Sequence, residues 1–281
     1  MSEARERILA GIRSSLNRGR LDPETEAELR ARVAAHRRNL MPARATALDH
    51  GERVELFVTM AEEVQATVTR VTALAAVPEA VARYLAAENL PAELVMAPDP
   101  SLDAIPWEAR PLLRIRRGRA GAEDKVSLTP CHAAIAETGT LLLVSGRQTP
   151  TTLNFLPDTH IVIVRRDQVV ATYEDGLDTL RAARASEALP RVINFITGPS
   201  RTADIEQHIE LGAHGPRRLH IVLVEDGQAT RSVEDDEQRS APAERSRLMA
   251  RSHSRRAALA RSQRAGVAGT NTDPGARTDP S

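Results

Sequence analysis

The sequence predicts an α/β fold built on a mostly parallel sheet. Two observations carry that reading. Four apolar runs, Thr140–Val144, His160–Val164, Val192–Thr197 and Leu219–Val224, are short, nearly continuous and rich in Val, Ile and Leu, as strands covered on both faces are. Segments with helical spacing alternate with strand-like ones, which is the pattern of an α/β domain.

The elements follow in chain order. Ile8, Leu9, Ile12 and Leu16 fall at helical spacing. Asp22-Pro23-Glu24 starts a second helix that runs to about Arg38, with Asp as cap, Pro in the first turn and Glu on the positive end of the dipole. Its apolar stripe is thin (Leu21, Leu29, Val33), so residues 1–48 read as a helical arm that packs on the main domain or on another subunit. A helix is expected over 50–66, where Val54, Phe57, Val58, Ala61 and Val64 share a face. Thr67–Thr72 reads as a strand, Pro78–Glu88 as a helix, and Glu93–Met96 and Leu112–Ile115 as strands. Tyr173–Ala188 and Thr202–Leu211 are the remaining expected helices. The α/β domain thus spans 49–227. Residues 228–281 turn to Ser, Arg, Ala, Pro and Gly and read as a disordered tail, unable to bury enough apolar area to offset the entropy of ordering.

Composition excludes several classes. The chain has 281 residues, 41% of them hydrophobic, and formal net charge zero. No stretch reaches the ~18 consecutive apolar residues of a membrane helix, and Met1–Leu16 is too charged for a secretion signal. The single cysteine, Cys131, makes no internal disulfide and supplies far fewer than the about four thiolates an iron–sulfur cluster takes. A cytoplasmic location is expected, with no cofactor in this chain. Six aromatic residues leave little for stacking on bases. The tail holds ten Arg and seven acidic residues, and reads as a solubilising extension rather than a nucleic-acid arm.

Two segments place polar and charged residues at strand junctions. In Glu137-Thr138-Gly139-Thr140, the glutamate suits a general base, a carboxylate nucleophile or a ligand for a hydroxyl or cation. Equally, it suits a carboxylate that accepts backbone N–H bonds in a tight turn. In Thr197-Gly198-Pro199-Ser200-Arg201-Thr202, a strand is expected to end and a helix to open. Free N–H groups, hydroxyls and Arg201 would then form an anion site around Gly198, Ser200, Arg201 and Thr202. Asp204 and Glu206 would lie in the same first turns. Gly212 and Gly215 flank His214, a candidate catalytic group or a loop histidine. Arg147–Asn154 reads as a loop forming a lid or mouth, and Cys131 as a small buried residue.

Four segments, Ala134–Leu142, Leu156–Ile161, Thr197–Glu206 and Leu211–Pro216, together resemble the LUD-domain family in its lactate-utilisation protein C branch, over about residues 50–225. The resemblance implies a fold similar to ribose-5-phosphate isomerase, glucosamine-6-phosphate deaminase and CoA transferases, with helices on both faces of the sheet. It also implies a role in oxidising L-lactate to pyruvate beside LutA-like and LutB-like iron–sulfur proteins, which would carry the clusters, with a small anion such as lactate as ligand. The competing expectation is a free-standing isomerase-like or CoA-transferase-like enzyme using Glu137 and Arg201. Phosphosugar isomerases of this fold pair a base with a lysine, and Lys125 is the one lysine in the chain.

Overall fold

In the computed structural model, residues 3–19, 21–38, 41–184, 189–205 and 208–225 are described. The elements are α1 (Glu3–Ser15), α2 (Pro23–Ala35), α3 (Ala43–Thr46), α4 (His50–Glu63), β1 (Thr67–Val71), α5 (Val77–Ala87), β2 (Glu93–Met96), β3 (Arg114–Arg117), β4 (Val126–Pro130), β5 (Ala133–Ile135), β6 (Thr140–Val144), α6 (Thr152–Phe155), β7 (Thr159–Arg165), β8 (Val169–Val170), α7 (Tyr173–Arg184), β9 (Ile193–Ile196), β10 (Arg201–Ile205), β11 (His208–Leu211) and β12 (Arg218–Val224).

Six strands form the main sheet in the order β1-β12-β7-β4-β2-β3, and every pairing in it is parallel. Alternation along β7 explains its unbroken apolar run. Ile161 and Ile163 join the core under α5, with Val81, Leu85, Leu128 and Val222. Val162 and Val164 point the other way, into a core with Phe57 and Ala61 of α4 and Leu141 and Leu143 of β6. Both faces are buried, so both alternating sets must be apolar. A second sheet, β8-β5-β6-β9, lies in that second layer, and α7 packs against its far side, where Gly176 meets Leu142 and Ile135.

Three sequence expectations need correction. Thr140–Val144 and Val192–Thr197 are not parallel strands of the main sheet: β6 pairs antiparallel with both β5 and β9. The reason is local. The turn at Glu137–Gly139, with Gly139 at φ +64°, reverses the chain directly, and so short a return admits only antiparallel pairing. The helix expected over Thr202–Leu211 is instead the antiparallel ribbon β10–β11. Its base is tied by backbone bonds from Ser200 N to Pro216 O (2.8 Å) and from Gly212 N to Ser200 O (2.9 Å). Extended Arg201 and Thr202 pair with Leu211 and Glu210, satisfying donors a helix would have used. The strand expected at Leu112–Ile115 begins two residues later, and Leu112 itself is 86% exposed. Residues 185–188, at the end of the helix expected over Tyr173–Ala188, and the 228–281 tail lie outside the described residues.

Asp22 caps α2 as expected, accepting from Thr25 N at 2.8 Å. No residue of α1 or α2 is buried. The linker after them is clasped to the domain: Arg38 bridges Asp175 (2.7 Å) and Asp178 (2.5 Å), Arg44 donates to the Glu137 carbonyl, and Ala45 is fully buried.

Gly139 and Gly198 set the packing of both candidate motifs. A Cβ on Gly139 would lie 2.3 Å from Ala61 N, and one on Gly198 would lie 2.1 Å from Val64 O. Both glycines have positive φ, +64° and +71°. Alanine at either position therefore adds backbone strain to overlap that no side-chain rotation relieves, a cost of about 3 kcal/mol or more. Urea unfolding of Gly139→Ala and Gly198→Ala should show that loss. Gly11→Ala, whose Cβ meets nothing within 4 Å, should show none.

Candidate functional site

The segment after β9 turns across the amino ends of β7 and β12 and encloses a cavity of about 210 Å³. Its wall is formed by Asn154 and Phe155 of α6, His160 of β7, Phe195 to Ser200, His214 to Pro216, and Leu219 of β12. The expected position was at strand–helix junctions, where open α/β sheets normally bind ligands beside carboxyl ends. Here only β9 contributes its carboxyl end; the parallel strands contribute their amino ends.

Of the residues singled out from sequence, Gly198, Ser200 and His214 line this cavity. Ser200 Oγ accepts from His214 N at 3.2 Å, which joins the Gly-Pro-Ser turn to the Gly-Ala-His-Gly turn. Arg201 is exposed on β10 and is not among the lining residues, nor is Thr202. With no helix beginning at Ser200, no dipole adds to an anion site there. Asp204 lies on β10, and Glu206 lies outside the described residues. The expected mouth loop contributes its last residue, Asn154, which is 4% exposed.

Glu137 is 5% exposed and is not one of the lining residues. Its Oε1 accepts from Tyr173 N, the first residue of α7, at 3.2 Å. A carboxylate there meets an otherwise free helix donor and the positive end of the dipole. The next residues do reach the cavity, through hydroxyls. Thr138 Oγ1 and Thr140 Oγ1 are 2.7 Å apart, and the Tyr173 hydroxyl lies 3.1 and 3.0 Å from them. Thr140 Oγ1 then meets Thr197 Oγ1 at 2.7 Å, and Thr197 is in the cavity wall. Tyr173 also packs its ring on Phe195, with centroids 5.3 Å apart.

Two cavity features were missed from sequence. In the sequence Thr197 marks only the end of an expected strand, and His160 opens the apolar run His160–Val164, where a histidine gives no separate signal. It is fully buried, its Nε2 lies 2.8 Å from Thr129 Oγ1, and its Nδ1 has no partner. Burial pushes its pKa down to about 3. On the opposite face, His220 stacks on Tyr84 at 3.7 Å, contacts Thr67 Oγ1 at 2.8 Å, and is pushed down to about 4 by burial. The Cys131 thiol is buried and pushed up to about 12, unsuited to act as a nucleophile near neutral pH.

The fold and the cavity define a class: an α/β protein with a small, partly polar site closed by two glycine-containing turns. The chain belongs to the LUD domain family, whose pattern matches residues 54–224. It is similar to the lactate utilization protein C of Deinococcus radiodurans, 42% identical over 101 residues, covering 34% of this chain and 45% of that protein. It is also similar to the lactate utilization protein C of Bacillus subtilis, 36% identical over 105 residues, covering 37% and 44%. The chain spans about half the length of the curated relatives it matches. A crystal structure of a DUF162 family protein from Deinococcus radiodurans shares 28% identity, with a TM-score of 0.48, covering 63% of this chain and 99% of that one. No helix of the described residues is long and apolar enough to cross a membrane.

The two buried histidines make stability acid-sensitive. Both have folded pKa values below the ordinary ~6.5. Between pH 6.5 and the folded values, the unfolded chain therefore binds protons that the folded chain excludes, and stability falls as pH falls. Each ring contributes up to about 1.4 kcal/mol per pH unit, so the pair should cost about 3 kcal/mol between pH 6.5 and pH 5. Asp22, Asp124 and Asp178, with lowered pKa values, titrate in the unfolded chain near pH 4 and leave that window to the histidines. His132, also shifted down by burial and then by Arg184, adds in the same direction. Urea midpoints should be flat from pH 8 to 7 and drop steadily below 6.5, and His220→Phe should flatten the drop by about half.

Proposed function

We propose that the chain is the cluster-free subunit of an L-lactate utilisation system. In this reading LutA-like and LutB-like iron–sulfur proteins take the electrons released as L-lactate becomes pyruvate, and this chain holds a small carboxylate in its cavity. The observation that carries the reading is its membership of the LUD domain family, together with relatives named lactate utilization protein C. The size of the cavity supports it. About 210 Å³ is the bulk share of about seven waters, and falls short of the roughly 300 Å³ where drug-sized pockets begin. Cys131 supports partners as the cluster carriers. It is the one thiol of the chain, buried and hydrogen-bonded to Ala133 O at 3.0 Å, and does not fit a cluster. A cytoplasmic setting follows from the same reading.

Partner docking falls to the helical arm. Ile8 and Ile12 on α1, Leu16 just after it, and Leu29 and Val33 on α2, are 42–71% exposed, which leaves apolar stripes of the kind an apolar partner groove covers. The tagged full chain, drawn gently from its native cells, should arrive brown with iron–sulfur absorption and should reduce a dye on addition of L-lactate. Ile8→Asp with Ile12→Asp should strip the colour without unfolding the domain. A colourless chain that alone turns over acyl-CoA or sugar phosphates, and loses that turnover on Glu137→Gln, would overturn the reading.

A further inference from the structure

Four buried side-chain atoms among the described residues have no hydrogen-bond partner: Thr159 Oγ1, His160 Nδ1, Asn194 Nδ2 and His220 Nε2. Of these residues only His160 lines the cavity. Its other nitrogen is engaged by Thr129 at 2.8 Å. Ser127, its register partner on β4, donates its hydroxyl to Leu153 O at 2.6 Å, and no hydrogen-bond partner reaches Nδ1. A buried polar atom left open on a residue that lines a cavity is what a ligand atom or a bound water relieves.

The chemistry of that wall limits what the ligand presents to it. His160 is fully buried, the residues lining the cavity include no lysine or arginine, and a carboxylate moved there would lose its hydration for a single imidazole contact. An uncharged oxygen does not meet that obstacle. Toward the surface the wall changes: Thr197 and His214 are exposed and Ser200 is half-buried, so hydroxyls and solvent together can hold a charge. Phe155, Phe195 and Leu219 offer apolar contact to a short carbon chain.

We propose that the cavity takes a short-chain 2-hydroxy or 2-oxo acid, with its 2-oxygen on His160 Nδ1 and its carboxylate toward Thr197, Ser200 and His214. This rests on the lactate-utilisation reading and makes His160 the residue that determines which acid binds. The proton between Thr129 and His160 sets the preference. If Thr129 donates to Nε2, Nδ1 carries hydrogen and can donate to either a carbonyl or a hydroxyl oxygen. If Nε2 donates to Thr129, Nδ1 accepts, and only the hydroxy acid satisfies it.

The test uses the full chain labelled with 15N in its histidines, titrated separately with L-lactate, pyruvate and propionate. Propionate has the same carbon chain and carboxylate but no 2-oxygen. It should bind about 10-fold more weakly than the better of the other two, and the His160 Nδ1 resonance should move with L-lactate or pyruvate but not with propionate. His160→Phe should bring the three acids to within a factor of two. His160→Asn, which keeps one polar atom near the Nδ1 position, should restore part of the difference. Propionate binding as tightly as L-lactate and pyruvate in the wild type, or binding that leaves the Nδ1 resonance unmoved, overturns the role of His160; both are read without a variant, so a misfolded His160→Phe does not obscure them. If no acid binds to the folded chain, this site assignment fails too. A brown, lactate-oxidising complex in the same preparation would then show that the functional reading survives without it.

Discussion

The carboxyl end of α4 is the point on which the two-layer arrangement depends. Two turns from different parts of the chain close on its last residues, so that a Cβ on Gly139 would strike Met60 and Ala61 and one on Gly198 would strike the Val64 carbonyl. Contacts this close need positions without a Cβ, and both turns also need positive φ. The first turn starts β6, so its contact with α4 fixes the register of the second sheet. The second turn leads from β9 into the cavity wall. α4 is held in its turn by Val54, Phe57 and Ala61 in the core, and by a capping box in which Asp49 and Glu52 bond each other's backbone N–H at 2.9 Å. Helix, second sheet and cavity are thereby one packing problem.

That arrangement explains why the motifs divide their labour. In Glu-Thr-Gly-Thr, glycine packs, glutamate meets the start of α7, and the threonine hydroxyls extend toward the cavity through Thr197. In Thr-Gly-Pro-Ser, glycine packs while threonine and serine face the cavity. The hydroxyl chain from Tyr173 through Thr140 to Thr197 orients a wall residue from behind. The Tyr173 backbone is bonded to Glu137, whose carbonyl receives Arg44 from the linker of the helical arm. A continuous set of polar contacts therefore runs from the arm to the cavity.

Much of the fold was legible because burial on both faces leaves a one-dimensional trace. The runs at His160–Val164 and Leu219–Val224 are the interiors of β7 and β12, Glu93–Met96 is β2, the start of α2 lies where the Asp22 cap puts it, and Pro78 falls in the first turn of α5. What failed depends on partners distant in sequence. An apolar run such as Leu141–Val144 has the same composition whether its neighbour is parallel or antiparallel, and only the close return of the chain decides. Thr202–Leu211 has Ile205 and Ile209 at helical spacing, yet Ser200 and Gly212 are bonded across its base, and that closure outweighs local periodicity. Serine and histidine of the candidate site were visible because they sit in glycine turns. Arg201 drew weight from a helix that is not there.

His160 was the least legible and chemically the most informative residue. Sequence patterns flag histidines beside glycine, such as His214, because loops carry function more often than cores do. His160 belongs to neither category cleanly: it lies near the start of a core strand, fully buried, yet it lines the cavity. There a core position acquires a cavity while keeping the low polarity of the interior. The imidazole there is uncharged near neutrality because charging it would leave an ion without solvent, so it can read an oxygen but cannot hold an anion by charge. The exposed groups around it have the opposite character. The cavity is thus graded from neutral and dry at His160 to hydroxyl-lined and wet at Thr197, Ser200 and His214, and that gradient arises from the boundary of the sheet rather than from any motif.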